Sequence, residues 1–462
     1  MDTQPQSFVP PHPTPRTHIP TRLEVIRTVM RNPLELWGEP SYTLPYITAK
    51  FLNETTLICN HPELIRHVLV DNNRNYRMAR VRQLILRPIL QDGLLTAEGD
   101  TWKRSRKAMA PVFTPRHIQG FADMMKARVA TFLERYREGA GQIHDVGHDM
   151  TELTYEVLAT TLFSDEIASD GHDFADDVDK LLSTMGKVSP LDLLKAPEWL
   201  PRFQRIRGRT VLRKFRKVVR DTMSARRERM DTDPDSVPND FLKLLLDAEG
   251  PDGLTADEVE DNLITFIGAG HETTARALGW TLYLLANAPH ERALVEDEIE
   301  AVLADDPPAV EWLDKMPKTR AAFEEAMRLY PPAPSINREA IEDETFTFKD
   351  GSKAEIRKGT TVLVMPWVLH RHRLYWENPN AFQPSRFWPE HRGEIDRFQY
   401  LPFGAGPRIC IGATFALQEA VIALALLLKQ FRFEPTPGLA PWPVQKLTVQ
   451  AQNGLPMRVM KR

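Results

Sequence analysis

Between Phe403 and Gly412 the chain reads Phe-Gly-Ala-Gly-Pro-Arg-Ile-Cys-Ile-Gly, a glycine-rich loop holding one of only two cysteines in 462 residues. A cysteine thiolate is a nucleophile and a metal ligand. It is favoured where free N–H groups and the positive end of a helix dipole face the sulfur. Such a helix start is predicted just after Cys410, because Ala413 to Phe431 is a long apolar stretch. Gly404 and Gly406 permit backbone angles that a Cβ resists, so the loop can wrap closely around a flat object. Arg408 would lie beside the same site, where it could pair with a carboxylate. A lone cysteine among glycines is usually a buried structural residue. Phe-x-x-Gly-x-Arg-x-Cys-x-Gly, filled at every fixed position, is far more specific.

The second chemically suggestive stretch is Gly268-Ala269-Gly270-His271-Glu272-Thr273-Thr274. It falls inside a predicted helix from Thr255 to Asn287, opened by a capping box of Thr255 with Glu258. Two glycines in a helix interior cost about 1 kcal/mol each relative to alanine, so a packing or functional reason should exist. Small residues let a flat cofactor or a diatomic ligand reach the backbone. A threonine hydroxyl bonding back along the helix can bend it and open a pocket. An acid next to an alcohol, Glu272 with Thr273, makes a proton relay. His271 has no histidine neighbour and reads as a satisfied helix residue.

Three weaker patterns accompany these. Trp102 and Arg106 are four apart and share one helix face. Glu325 and Arg328 stand on a predicted helix, Asp314 to Tyr330, just before Pro331-Pro332-Ala333-Pro334. Arg386 follows downstream in Pro384-Ser385-Arg386-Phe387. Lys103, Arg104 and Lys107 form a basic cluster that could dock an acidic electron-transfer protein.

In this order the motifs resemble the cytochrome P-450 family, the haem-thiolate monooxygenases. The resemblance implies haem b (iron protoporphyrin IX), with Cys410 as axial thiolate ligand. Arg408, Trp102, Arg106 and Arg338 would contact the haem propionates, and Phe403 would pack against the proximal face. Ala269 and Gly270 would line the oxygen groove, with Glu272 and Thr273 as the relay. Glu325, Arg328 and Arg386 would form a buried charge network; Ser385 stands where the family usually has Glu. The implied reaction inserts one atom of O2 into a C–H bond of an apolar small molecule such as a fatty acid, terpenoid, steroid or aromatic. Electrons would come from a separate ferredoxin or flavodoxin with its NAD(P)H reductase. The Ala-Gly-His-Glu-Thr-Thr form of the relay leans towards fatty-acid-oxidising members. A peroxide-driven peroxygenase and a non-catalytic haem sensor are the rivals. By the same resemblance Leu191 to Phe203 is an access lid, and Met78 to Leu95 with Ser335 and Ile336 line the substrate pocket.

The remaining sequence must position these groups. A net charge of −4 argues against a nucleic-acid binder, and two cysteines, Cys59 and Cys410, give no disulfide framework. These features, with no apolar leader, suggest a soluble cytoplasmic protein without a membrane anchor. Its longest apolar run, Val421 to Leu428, is flanked by Gln418, Glu419 and Lys429 and looks too short to span a bilayer. Residues 1–20 read as a proline-rich tail and 21–462 as a single haem domain. The expected class is mainly α with a small β-rich region (α+β). Arg22 to Trp37 reads as a helix, and strands are expected at Tyr42 to Phe51 and Thr55 to Cys59. Asn60 and Glu63 read as N-cap and N3 of a helix over His61 to Val70. Tyr76 to Leu95, with Pro88 and Gly93, reads as a partly helical loop. Helices fill Glu98 to Phe113 and most of Phe121 to Glu249. Short strands follow over Glu339 to Val364, and a β-rich tail over Phe431 to Val459.

Overall fold

In a computed structural model of the chain, which describes residues 7–51, 54–167, 203–251 and 253–462, helices form the bulk and strands gather in small sheets. The longer helices are α1 (Arg22–Arg31), α2 (Arg80–Leu90), α3 (Gly99–Met109), α4 (Ala122–Glu138) and α5 (Val146–Phe163). Then come α6 (Phe203–Thr232), α7 (Phe241–Asp247), α8 (Ala256–Asn287), α9 (Pro289–Ala304), α10 (Pro317–Leu329) and α11 (Ala413–Gln430). Helix α8 is the centre: Val259, Leu263, Ile264, Leu278 and Leu282 are all buried, and α5, α10 and α11 pack around it. The expected capping box opens it, with the Thr255 N–H donating to the Glu258 carboxylate (2.9 Å) and the Glu258 N–H to the Thr255 hydroxyl (3.2 Å).

Five strands, β1 (Tyr46–Phe51), β2 (Glu54–Cys59), β3 (Tyr76–Met78), β4 (Ile336–Ala340) and β5 (Thr361–Val364), make a mixed sheet in the order β1-β2-β5-β4-β3. Its β3–β4 register sets Met78 opposite Arg338. The pairing thus delivers one apolar and one cationic side chain to the same place.

Several boundaries differ from the sequence reading. Helix α1 stops at Arg31, because Pro33 holds Asn32 extended (φ −157°, ψ 99°). The N-cap near residue 60 is His61, whose ring accepts the Glu63 N–H. Asn60 is instead buried, its amide donating to the carbonyls of Ser41 and Leu44. Residues 80–90 form a regular helix despite Pro88, which forfeits one helical N–H, because Ile85, Leu86, Ile89 and Leu90 bury one apolar face. Helix α10 begins only at Pro317, a residue suited to a first turn.

The proline-rich segment is seated from Phe8 onward. Its carbonyls accept the Phe382 N–H (2.8 Å, at Phe8) and the Tyr330 hydroxyl (2.7 Å, at Pro11). Among the described residues α11 alone is long and apolar enough to cross a membrane, contrary to the shorter run expected. Two-thirds of it, however, is buried inside the protein, as befits a core helix. The lid expected at Leu191–Phe203 lies outside the described residues up to 202.

Candidate active site

The Cys410 loop forms as its glycines require. Gly404 (φ 73°) and Gly406 (φ 74°) adopt the left-handed region, and a Cβ on Gly406 would lie 1.9 Å from the Leu69 carbonyl oxygen. The Cys410 N–H donates to the Phe403 carbonyl (2.9 Å), closing the loop just before α11 begins at Ala413. Cys410 is exposed, but onto a cavity of about 350 Å³ inside the fold. Burial pushes its thiol above the ordinary value, while the Gly412 N–H and the Arg106 guanidinium both pull it down. Cys59, by contrast, is sealed in the core, where burial raises its thiol without any cation to oppose it.

Four arginines reach the same cavity: Arg82, Arg106, Arg338 and Arg408. Arg82 donates to the Ser335 carbonyl (3.0 Å) and Arg338 to the Asn337 carbonyl (3.2 Å). Arg408 donates to the Ala97 carbonyl (2.8 Å) and to Glu98 (2.7 Å), with its guanidinium 4.6 Å from the Trp102 ring centre. Glu98 is the one acid ion-paired to this group among the described residues. Burial lowers the affinity of all four for their protons; Arg338 falls furthest, to about 10, with Arg408 and Arg82 adding repulsion. Cations left buried without enough acid are costly. A ligand that carries carboxylates would compensate them.

The rest of the wall is largely apolar. Met78, Leu94, Leu95, Ser335 and Ile336 line it as the sequence suggests; Phe113, Leu158, Phe241, Phe266 and Phe415 add apolar and aromatic surface that local pattern does not reveal. Phe403 also borders the cavity.

Helix α8 presents Ala269, Gly270, Thr273 and Thr274 to this space. The Thr273 hydroxyl donates back to the Ala269 carbonyl (2.9 Å), and Thr274 to that of Gly270 (3.3 Å). Leu158 crowds Gly270, where a Cβ would meet its methyl at 3.2 Å. Glu272 is not part of the wall. It is buried behind it, accepting the Thr448 hydroxyl (2.7 Å) and lying 3.5 Å from Arg276. His271 is buried, with Nδ1 2.6 Å from the Ile267 carbonyl.

Glu325 and Arg328 are fully buried and doubly bonded, Nε to Oε2 at 2.7 Å and Nη2 to Oε1 at 2.8 Å. Arg328 also donates to the carbonyls of His370, Pro379 and Ala381. Arg386 stands 3.5 Å from Glu325 and spends its donors on the Glu377 and Asn378 carbonyls. Of the basic cluster on α3, Arg104 is paired with Glu258 and Lys103 with Asp100 (3.0 Å), which leaves Lys107 as the more open charge. Sequence reasoning missed Glu98 and gave Arg82 no role beyond the pocket-lining span Met78 to Leu95: neither sits in a motif, and only the fold brings them beside Arg338 and Arg408.

A model of the cytochrome P450 family matches residues 40–457. Cyclooctatin synthase of Streptomyces melanosporofaciens is 32% identical over 407 residues, covering 86% of this chain and 85% of its own. Human cytochrome P450 4Z1 is 30% identical over 396 residues, covering 81% and 76%. The fold matches the haem domain of cytochrome P450DA with a TM-score of 0.80 at 25% identity, over 98% of both chains. It matches the cytochrome P450 CYP102L1 with a TM-score of 0.81 at 26% identity, over 98% of this chain and 100% of that one. The chain therefore belongs to the cytochrome P450 family. It is an oxidoreductase whose family works with haem iron, and it has hydroxylases such as the Arabidopsis thaliana cytokinin hydroxylase among its relatives.

Proposed function

We propose that the protein is a haem b monooxygenase that inserts one oxygen atom from O2 into a C–H bond of an apolar small molecule. The observation that carries this reading is the cavity itself. It joins an open cysteine sulfur, four part-buried arginines and a largely apolar wall in one cavity. The residues fit the cofactor. Cys410 would ligate the iron, and Arg82, Arg106, Arg338 and Arg408 with Trp102 would hold the two carboxylates of the porphyrin. Phe403 would pack against the ring. When bound, the haem supplies redox activation of O2, which thiolate donation favours.

The chain's own part is to bind, exclude water and manage protons. Apolar side chains such as Phe113, Phe241 and Phe266 keep water out and select an apolar substrate by burying its surface. Ala269 and Gly270 leave room beside α8. Thr273 holds a hydroxyl proton at the wall, and Glu272 is the acid behind it, oriented by Thr448 and Arg276. Thr273→Ala should waste electrons as peroxide while substrate affinity holds; unchanged coupling would remove Thr273 from the relay. Electrons would come from a separate ferredoxin or flavodoxin with its NAD(P)H reductase.

The substrate class is reached by titrating the haem-loaded protein with fatty acids, terpenoids, steroids and small aromatics. A saturable low-to-high-spin shift with one class would identify it, and no shift with any class would count against the monooxygenase reading. The turning of Glu272 away from the cavity favours a second reading, peroxide-driven oxygenation, which needs no relay. Turnover with peroxide alone, at the rate seen with redox partners, would select it.

A further inference from the structure

The short turn after α2 carries Leu94 and Leu95 into the cavity wall, beside Thr265 and Phe266 of α8. Two side chains of α8 hold this turn by its backbone. The Asp92 N–H donates to the Asp261 carboxylate (3.1 Å), and the Leu94 N–H to the Asn262 side-chain oxygen (2.7 Å). Between them Gly93 lies directly on the helix. A Cβ there would stand 2.1 Å from the Thr265 hydroxyl oxygen and 2.7 Å from the Asp261 carbonyl oxygen.

The holding groups are themselves fixed. Asn262 is fully buried, and its amide donates to the Glu258 carbonyl (2.7 Å), which leaves the side-chain oxygen for Leu94. Asp261 turns its other oxygen to Arg216 of α6 (2.9 Å). Arg216 also donates to Glu260 (2.7 Å) and to the Ile89 carbonyl near the end of α2 (3.3 Å). One guanidinium thus ties α6, α8 and α2 together around the turn. Arg220 donates to the second oxygen of Glu260 (2.7 Å), so the cluster is balanced without any ligand. Asp261, Asn262 and Arg216 do not border the cavity and act on it only through the turn.

We propose that Asn262, Asp261 and Arg216 are positioning residues that pin the turn to α8 and so preform the Leu94–Leu95 wall. A wall ordered beforehand spares the ligand the entropy of ordering it. Pinning therefore favours ligands with enough apolar surface to pack against these two leucines. The pinning itself stands on bonds within the protein; its effect on ligands rests on the proposed haem reading.

The test compares the full-length haem-loaded protein with Asn262→Leu, which removes the acceptor for the Leu94 N–H at similar side-chain volume. Amide hydrogen exchange over residues 91–97, followed by mass spectrometry, should become about tenfold faster or more, while α5 and α10 keep their wild-type rates. Haem-band titrations then use two iron ligands, imidazole and phenylimidazole. Affinity for imidazole, which needs no wall, should hold, and affinity for phenylimidazole should fall several-fold. A residue that merely stabilised the fold would weaken both ligands alike. If Asn262→Leu fails to fold, Arg216→Lys, which keeps the charge but loses the fork, should give smaller changes of the same sign. Unchanged exchange in the turn overturns the proposal, as does faster exchange with both ligands affected equally or not at all. A wild-type haem band that answers neither ligand would count against the haem reading instead, and exchange alone would then decide the pinning.

Discussion

Two groups of arginines in this molecule are balanced in opposite ways. Around Glu325 the charge is closed: Arg328 makes two short bonds to the carboxylate and spends its remaining donors on three backbone carbonyls. Around the cavity it is open: of Arg82, Arg106, Arg338 and Arg408, Arg408 alone is ion-paired among the described residues, to Glu98. The first arrangement is complete without any ligand and reads as structure. The second is costly until carboxylates arrive and reads as a binding site. Compensation separates them more sharply than burial does.

Breaking the closed group should have the largest effect. Removing one member of a buried charge network costs about 3–5 kcal/mol, so Glu325→Ala should yield little folded, haem-loaded protein. Normal haem content would refute the assignment.

The same region should also be sensitive to acid. His370, fully buried, accepts the Leu401 N–H at Nε2 (2.9 Å); burial, followed by Arg328 and Arg371, lowers its pKa from 6.5 to about 3. The unfolded chain therefore takes up this proton first. The stabilisation is present above pH 6.5 and is lost as the pH falls towards 3, at about 1.4 kcal/mol per pH unit. Denaturant titrations of His370→Gln between pH 7 and 4 should show a slope shallower by that amount.

The open group should respond with opposite signs. Without haem, Arg338→Leu should raise stability by about 1–3 kcal/mol, because a buried uncompensated cation is removed. The haem-free wild type should begin to recover that difference only as the pH rises above about 10, where folded Arg338 starts to give up its proton before the unfolded chain does. With haem, the same variant should bind the cofactor about tenfold more weakly or worse. A loss in both states would place Arg338 in the closed class. The smallest effect is expected on the α3 surface: reversing the charge of Lys103 and Lys107 should slow reduction by a partner several-fold at low salt and leave substrate binding unchanged.

The closed and open groups also differ in how far sequence reveals them. The Cys410 loop is legible because its requirements are local: glycine at left-handed positions and a helix start after the sulfur. Thr255 with Glu258 is legible for the same reason. The open group is only half visible, since Arg82 and Glu98 reach Arg338 and Arg408 through the β3–β4 pairing and the turn into α3. Glu272 shows the limit of a motif. Its neighbour Thr273 reaches the cavity, but one residue along a helix turns a side chain by about 100°, and Thr448 from a distant hairpin captures it. Gln418 and Glu419 look like the polar edge of an apolar run, yet both are 2% exposed. Only packing against α8 reveals that. Pro88 misled in the other direction, because the buried apolar face of α2 outweighed the one bond it removes.

The central claim is that the open site holds haem through Cys410. It is tested by the absorption spectrum of the reduced, carbon-monoxide-bound protein, compared with that of Cys410→His. A thiolate pushes electron density onto the iron more strongly than an imidazole does. The wild type should therefore show its main haem band at clearly longer wavelength than the histidine variant, with haem retained in both. Identical bands would mean that Cys410 does not ligate the iron, and the account of the cavity would fall with it.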